Sequence, residues 1–364
     1  MPIFKNYVTI SRYEYAIKKS KTDRLVIRQA IMNRRSLQKI AILGLAALTF
    51  LAGPSLAIAK IWLVGPNFQM TTPSAAIKRA KDGDIIKITA GLYENDYAII
   101  TQNNLTLMGV NGFAHLKSSG PVPGGKAIWT IRGGNITLQN IEFSGARVAD
   151  KNGAGIRLEG GSLTLENCYF HDNEMGLMTS NNPNIRLRII NSEFNRNRQN
   201  YLMTKKLSHN IYVGAIAEFT LDNSISRGAQ YGHAVKGRAR KTHIKNSRIL
   251  DEGAISASYL IDLPNGGEAL IENNYLYKNK GAQNKALISY GGEGMKYDKN
   301  ALTIQYNTAI NEDGLAFLLK NHSSVAGRIT GNRTTNIAID EVSAIERDGF
   351  WDRIKNKIQD FYRD

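Results

Sequence analysis

Only one of the 364 residues is a cysteine, Cys168. A single thiol excludes an intrachain disulfide framework and any metal centre built from cysteines, and the expected place of Cys168 is the core, beside Phe170. Long apolar runs are almost as scarce. Residues 40–52, IAILGLAALTFLA, form the only one. A bilayer span needs about 20 such residues, so this run is short for a membrane helix and suits the core of a signal peptide. Hairpin signals are few: Asn-Gly occurs at Asn111-Gly112, Asn152-Gly153 and Asn265-Gly266, which argues against a β-sandwich with turn asparagines. Acidic residues are in deficit, 31 against 47 basic for a formal charge of +16. The basic residues are not interleaved with aromatics and no nucleic-acid motif is present, so nucleic acid is not the expected partner. No run of Asp, Asn and Glu has the spacing of a calcium loop. The sequence requires no cofactor; calcium is the one ion left open, and it would need ligands from separate coils.

The N-terminus is strongly basic. Arg34, Arg35 and Lys39 precede the apolar run, and Ala57-Ile58-Ala59 gives a small-x-small cleavage pattern before Lys60. Met32 opens a signal peptide of ordinary form, leaving residues 1–31 as an over-extended start or a basic leader; the alternative is an uncleaved anchor with a basic cytoplasmic tail. Removing residues 1–59 leaves 37 basic against 29 acidic residues, a net +8. For a periplasmic or secreted basic chain the expected partner is an acidic polysaccharide, with no stable membrane insertion after cleavage and a monomeric state.

What the chain does have is a repeat. Two apolar residues at alternate positions, then Asn, then another apolar residue recur in I136-T-L138-Q-N140-I-E-F143, L163-T-L165-E-N167-C-Y-F170, L187-R-I189-I-N191-S-E-F194 and T242-H-I244-K-N246-S-R-I249. Shorter forms are F219-T-L221-D-N223, A269-L-I271-E-N273, L302-T-I304-Q-Y306-N307 and I329-T-G-N332. Successive asparagines lie 27, 24, 32, 23, 27, 34 and 25 residues apart. This period, with alternating apolar residues, predicts an all-β, right-handed parallel β-helix in which Leu and Ile face inward and Asn sets a left-handed corner, bonding to the Asn one coil away.

The β-helix is expected over 60–338. Thr72, Pro73 and the following AAIKRAKDG predict a short N-terminal capping helix, with Thr72 as N-cap and Gly83 past the end. Phe350, Trp351, Ile354, Ile358 and Phe361 recur at helical spacing and predict an amphipathic helix over 339–364 that caps the other end. The intervals of 32 and 34 residues carry inserted loops, the first with Arg196, Arg198, Tyr201, Lys205 and Lys206, the second with Gly291-Gly292-Glu293-Gly294 and Lys296-Tyr297. Insertions of this kind gather on the binding face of a solenoid.

Another strand precedes each Asn-frame strand, at H209-N-I-Y-V213, H233-A-V-K236, Y259-L-I-D-L263, L287-I-S-Y290 and F317-L-L-K320. With Ile211, Val213, Val235 and Ile261 inward, Asn210, Tyr212, Lys236 and Asp262 point outward from neighbouring coils.

These features together resemble the pectate-lyase-like superfamily over nearly the whole chain that follows residue 59. H233-A-V-K236-G-R238 followed by T242-H-I-K-N246 is similar to the alginate lyase and chondroitinase B group of polysaccharide lyases. The resemblance implies that Lys236 is the catalytic base. The group's acid, an Arg one coil later, falls at Ser258 or Tyr259, where this chain has no Arg, so Tyr259 is the expected proton donor. Uronate β-elimination removes the C5 proton and expels the 4-linked oxygen, and it needs the carboxylate neutralised as charge develops. Arg238, Arg240 and Lys241 are expected to lower the Lys236 pKa by like charge. His209 and His233 are expected to share carboxylate binding or proton transfer. Asn210, Tyr212, Arg238, Arg240 and Asp262 are the expected substrate-binding groups, with Asp262 also a candidate calcium ligand or orienter of Lys236. A glycosidase, a uronate epimerase and a non-catalytic exopolysaccharide-binding β-helix remain as alternatives.

The leader makes one testable statement. Exported protein should begin at or near Lys60 on N-terminal sequencing; an exported chain still carrying Met1 would contradict it.

Overall fold

The computed structural model describes residues 59–199, 201–252, 257–280, 282, 284–312 and 314–338. The leader up to Ile58 and the helix expected over 339–364 lie outside the described residues. The rest is an all-β parallel solenoid of about ten turns, three strands to a turn. Two strands of each turn belong to one continuous 19-stranded sheet and the third to a 10-stranded sheet, and every strand pairing is parallel.

The apolar frame becomes a column of aliphatic side chains, one per turn. Ile86, Leu107, Leu138, Leu165, Ile189, Leu221, Ile244, Ile271, Ile304 and Ile329 are successive register partners. Residues between them alternate to the outside, as a period of two requires. Beyond the corner, Phe143, Phe170 and Phe194 stack with ring centroids 5.0 and 4.6 Å apart, and Trp129 meets Phe143 edge-on. Cys168 is buried, and burial pushes its thiol up to about 12.

Asn140, Asn167, Asn191, Asn223, Asn246 and Asn273 take the left-handed conformation at the corner, with φ from 44° to 55°. Asn167 donates to Asn140, and Asn223 to Asn191, at 2.7 Å. Two expected members of this series do not belong to it. Tyr306 and Gly331 hold the left-handed position in their turns, and Asn307 and Asn332 follow one residue later. There they join an inner ladder in which a side-chain oxygen accepts the backbone N–H of the residue one coil before. Cys168, Ser192, Ser224, Ser247, Asn274 and Asn307 donate to Ser192, Ser224, Ser247, Asn274, Asn307 and Asn332 in turn, at 2.9 to 3.1 Å.

The N-terminal helix forms over Pro73–Arg79 with Pro73 in its first turn and Pro73, Ala76 and Ile77 buried. Thr72 makes no side-chain capping bond; the remote Asp96 Oδ2 accepts from Ser74 N at 2.9 Å in its place. Burial raises the Asp96 carboxyl above its ordinary range despite the two Ser74 bonds. No described helix is long and apolar enough to cross a membrane.

The inner ladder can be tested at its middle. Ser224 Oγ accepts from Ser192 N and donates to Asp222 O at 2.8 Å. Ser224→Ala strands a buried N–H, so unfolding in urea should show a loss of about 1–3 kcal/mol. A loss under half a kilocalorie would mean that water or a neighbour replaces the hydroxyl.

Candidate functional site

The 10-stranded sheet places one outward side chain per turn in a single line. Arg157, Met178, Tyr212, Lys236, Asp262, Ser289 and Lys320 are consecutive register partners. Strands in such a sheet lie about 4.8 Å apart, so Tyr212, Lys236 and Asp262 span the length of one or two sugar units. Arg238, two residues beyond Lys236, joins them from the same side.

These groups are bound into one charged network. Lys236 Nζ lies 3.1 Å from Asp262 Oδ2 and 3.0 Å from Glu293 Oε1. Arg238 grips the Glu293 carboxylate with both Nε and Nη2, at 3.0 and 2.8 Å, and its Nη1 donates to Tyr212 Oη at 2.7 Å. Lys236, Arg238 and Asp262 are mostly covered, with side chains 12, 17 and 6% exposed, whereas Glu293 is 44% exposed. Burial opposes the charge on Glu293, but the bonds from Arg238 and Lys236 more than offset it and hold the carboxyl below its usual range. Likewise burial works against the Arg238 guanidinium, and Glu293 and Tyr212 together hold it above its usual range.

Glu293 is the residue that sequence reasoning missed. It sits in the Gly291–Gly294 turn, where Gly291 and Gly294 take φ of 78° and 86°. Glu293 N and Gly291 N bond to Pro264 O and Leu263 O of the preceding turn. The loop thereby folds back onto the outward line, and Tyr297 Oη, further along it, donates to Arg238 O. The only signal in the sequence was the over-long interval itself.

His209 and His233 are buried, sharing the parity of the inward residues Ile211 and Val235. They form a second ladder of the kind seen at the corner. His209 N donates to Met175 Sδ at 3.0 Å, His233 N to His209 Nδ1 at 2.9 Å, and Tyr259 N to His233 Nδ1 at 3.1 Å. The rings stack at 5.1 Å, and Tyr259 continues the stack at 5.4 Å. An Nδ1 that accepts a backbone N–H leaves the ring proton on Nε2. Burial and the neighbouring His233, Lys236 and Arg238 charges hold His209 well below 6.5. Burial, against the pull of Asp262, lowers His233 to about 4. Both rings are therefore neutral N–H donors near neutrality, and neither Nδ1 is available to take a proton. His233 Nε2 lies 3.4 Å from Asp262 Oδ2. Asp262 Oδ2 is thus flanked by two nitrogen groups, Lys236 Nζ and His233 Nε2.

Three expectations need correction. Asn210 does not point outward: it precedes the strand Ile211–Val213, so the alternation does not reach it. It is fully buried, accepting from Asn197 and donating to Ser226 Oγ and Arg227 O. Arg240 leaves the cluster, because the strand Val235–Gly237 ends before it, and lies exposed in a separate cleft of about 770 Å³ with Lys241, Lys296 and Lys299. Lys236 consequently faces two carboxylates, and the expected crowd of cations is reduced to Arg238. The first insertion lines a cleft of about 1060 Å³, where Arg196, Arg198, Tyr201 and Lys206 meet Arg147. That cleft does not include Lys236.

No protein-family model matches this chain, and no curated protein matches it. Solved structures do. An alginate lyase from Paenibacillus sp. str. FPU-7 superposes with a TM-score of 0.53 at 15% identity, covering 74% of this chain and 96% of that one. The pectin methylesterase PemA from Erwinia chrysanthemi gives 0.40 at 13%, covering 79% and 94%, and the Dettilon tailspike protein 0.35 at 14%, covering 72% and 63%. The alginate lyase likeness shows the fold, a parallel β-helix as expected of the superfamily that the sequence resembles.

The neutral His233 carries a pH prediction. The unfolded chain protonates this ring below about 6.5, whereas the folded chain resists until about 4. Stability should therefore be kept above pH 6.5 and fall as pH drops from 6.5 to 4, by on the order of 3 kcal/mol from this group. Comparing urea stability of wild type and His233→Gln across that window isolates the term; parallel profiles would contradict it.

Proposed function

We propose that this chain is an exported polysaccharide lyase that cleaves a uronic-acid polymer by β-elimination. The observation that carries this reading is the Glu293 carboxylate, held by Arg238 on two sides and by Lys236 on one. These cations form a carboxylate cradle, and the carboxylate occupying it comes from an exposed loop. A uronate presents the same group and would take the place of Glu293. In that position Arg238 neutralises the sugar carboxylate as the C5 proton leaves and enediolate charge builds. One structural neighbour of the same fold is an alginate lyase, in keeping with an acidic polysaccharide.

Lys236 is the proposed proton acceptor. To act so it must first give up a proton, and Asp262, 3.1 Å away, is the group placed to take it. Polymer covering the site excludes water and penalises the Lys236–Asp262 ion pair, which favours the neutral pair. Tyr212 is the proposed donor to the departing oxygen. Its oxygen already accepts from Arg238, so its own O–H is directed elsewhere and the phenolate it leaves is stabilised by the guanidinium. Tyr259, the donor position implied by the resemblance, is the alternative.

Hydrolysis is the second reading, because Asp262 and Glu293 both flank Lys236. A glycosidase acid must hold its proton through a raised pKa, and Glu293 is shifted the other way. Lyase action is therefore preferred.

The test is product formation on alginate, pectate, glucuronan and glycosaminoglycans. Wild type should generate ultraviolet-absorbing unsaturated ends from one of them and none from its carboxyl-reduced form. Saturated reducing ends, or none with any polymer, would contradict the proposal. Lys236→Ala should lower turnover by about a hundredfold or more, and Lys236→Arg should not restore it, since a guanidinium keeps its proton. Partial rescue by Lys236→Arg would make Lys236 a carboxylate-binding cation. Tyr212→Phe should cost more turnover than Tyr259→Phe. Glu293→Ala should lower KM without abolishing turnover.

A further inference from the structure

The 19-stranded sheet carries a second cluster that the proposed lyase chemistry does not use. Three consecutive turns contribute His115 from Asn104–Lys117, Glu142 from Ile141–Ser144 and His171 from Tyr169–His171. His115 and Glu142 are direct register partners, and His171 pairs with Ser144, two residues beyond Glu142. One ligand-type atom from each of the three lies within 4.8 Å of the others. His171 Nε2 is 2.8 Å, and His115 Nε2 3.4 Å, from the same oxygen, Glu142 Oε1. The three side chains are only about a fifth exposed, 23, 20 and 18% for His115, Glu142 and His171.

The contacts around His171 call for a positive charge. Its Nδ1 lies 2.7 Å from Asp172 Oδ2 while its Nε2 faces Glu142. A neutral imidazole has one N–H, so with Nδ1–H given to Asp172 a lone pair on Nε2 meets a carboxylate oxygen. Either a second proton or a metal ion relieves that contact. The metal explains more: the carboxylate on Nδ1 is the outer partner that metal-bound histidines ordinarily have, and His115 Nε2, which shares a hydrogen bond with Ser144 Oγ at 2.7 Å, also lies 3.4 Å from the same Glu142 oxygen. Lys117, two residues beyond His115, pairs with Glu94 at 3.9 Å.

We propose that His115, Glu142 and His171 form a binding site for a divalent transition-metal ion of the zinc type, with Asp172 orienting His171. Two imidazoles and one carboxylate suit zinc and its neighbours; calcium and magnesium take oxygen ligands. Three protein ligands leave a position for water. Because the ligands come from three turns, the ion staples those turns together, and an ion that binds only the folded chain stabilises it.

The experiment uses untagged protein stripped with EDTA and titrated with zinc chloride by calorimetry, with Tm recorded in parallel. One zinc per chain should bind with a rise in Tm, and magnesium and calcium should not compete. His115→Ala and His171→Ala should each abolish the binding. Asp172→Asn should weaken it by about tenfold to a hundredfold while keeping all three ligands, so it serves if a histidine variant fails to fold cooperatively. Stripped wild type that takes up no zinc overturns the proposal. So does binding that survives the double variant His115→Ala/His171→Ala, which would place the ion elsewhere, as at His209 and His233; a contact relieved by a second proton gives the first of these outcomes.

Discussion

The solenoid depends on one repeated hydrogen bond, a buried side-chain acceptor that receives the backbone N–H of a neighbouring coil. Ser192, Ser224, Ser247, Asn274, Asn307 and Asn332 make it at the corner. Met175, His209 and His233 make it beside the 10-stranded sheet. A buried N–H without a partner is expensive, and side chains in a strand alternate faces with a period of two. A slip of one residue would turn Tyr212, Lys236 and Asp262 into the core and Val235 out to water. The two ladders penalise that slip at both edges of the coil. The straight line of polar groups is thus a consequence of backbone satisfaction as much as of apolar packing.

The charge pattern built on this line differs from a simple basic patch. Tyr212, Arg238, Glu293, Lys236, Asp262 and His233 form an unbroken chain of contacts in which donors and acceptors alternate. Its members are mostly covered, so each cation needs its carboxylate and each carboxylate its cation. Only Glu293 is substantially exposed and carried by a loop. It is the member that an incoming carboxylate can replace with least loss to the rest.

Much of the fold was legible because it is written once per turn. The alternation in L163-T-L165-E-N167 and its copies fixes both the inward column and the left-handed corner. What escaped was anything set by a single residue's offset. Tyr306-Asn307 moves the asparagine from the corner to the inner ladder, and the sequence frame alone cannot tell those adjacent positions apart. Asn210 lies one residue before its strand begins, where alternation says nothing. Arg240 was grouped with Arg238 by nearness in sequence, but the chain turns between them. Glu293 reaches groups 55 and 57 residues away in the chain, and a loop's return path is not encoded in any local pattern. The place of Lys236 in the outward line was legible while its surroundings were not, because its partners arrive from the next turn and from an insertion.

The most direct measurement is a crystal structure with a uronate oligosaccharide soaked into Lys236→Ala protein. The account predicts a sugar carboxylate paired with both edges of the Arg238 guanidinium, Glu293 displaced from it, and the C5 carbon of that sugar facing the position vacated by the Lys236 amine. An oligosaccharide bound in the Arg196–Arg198 cleft or along Arg240, with Glu293 still clasped by Arg238, would contradict it.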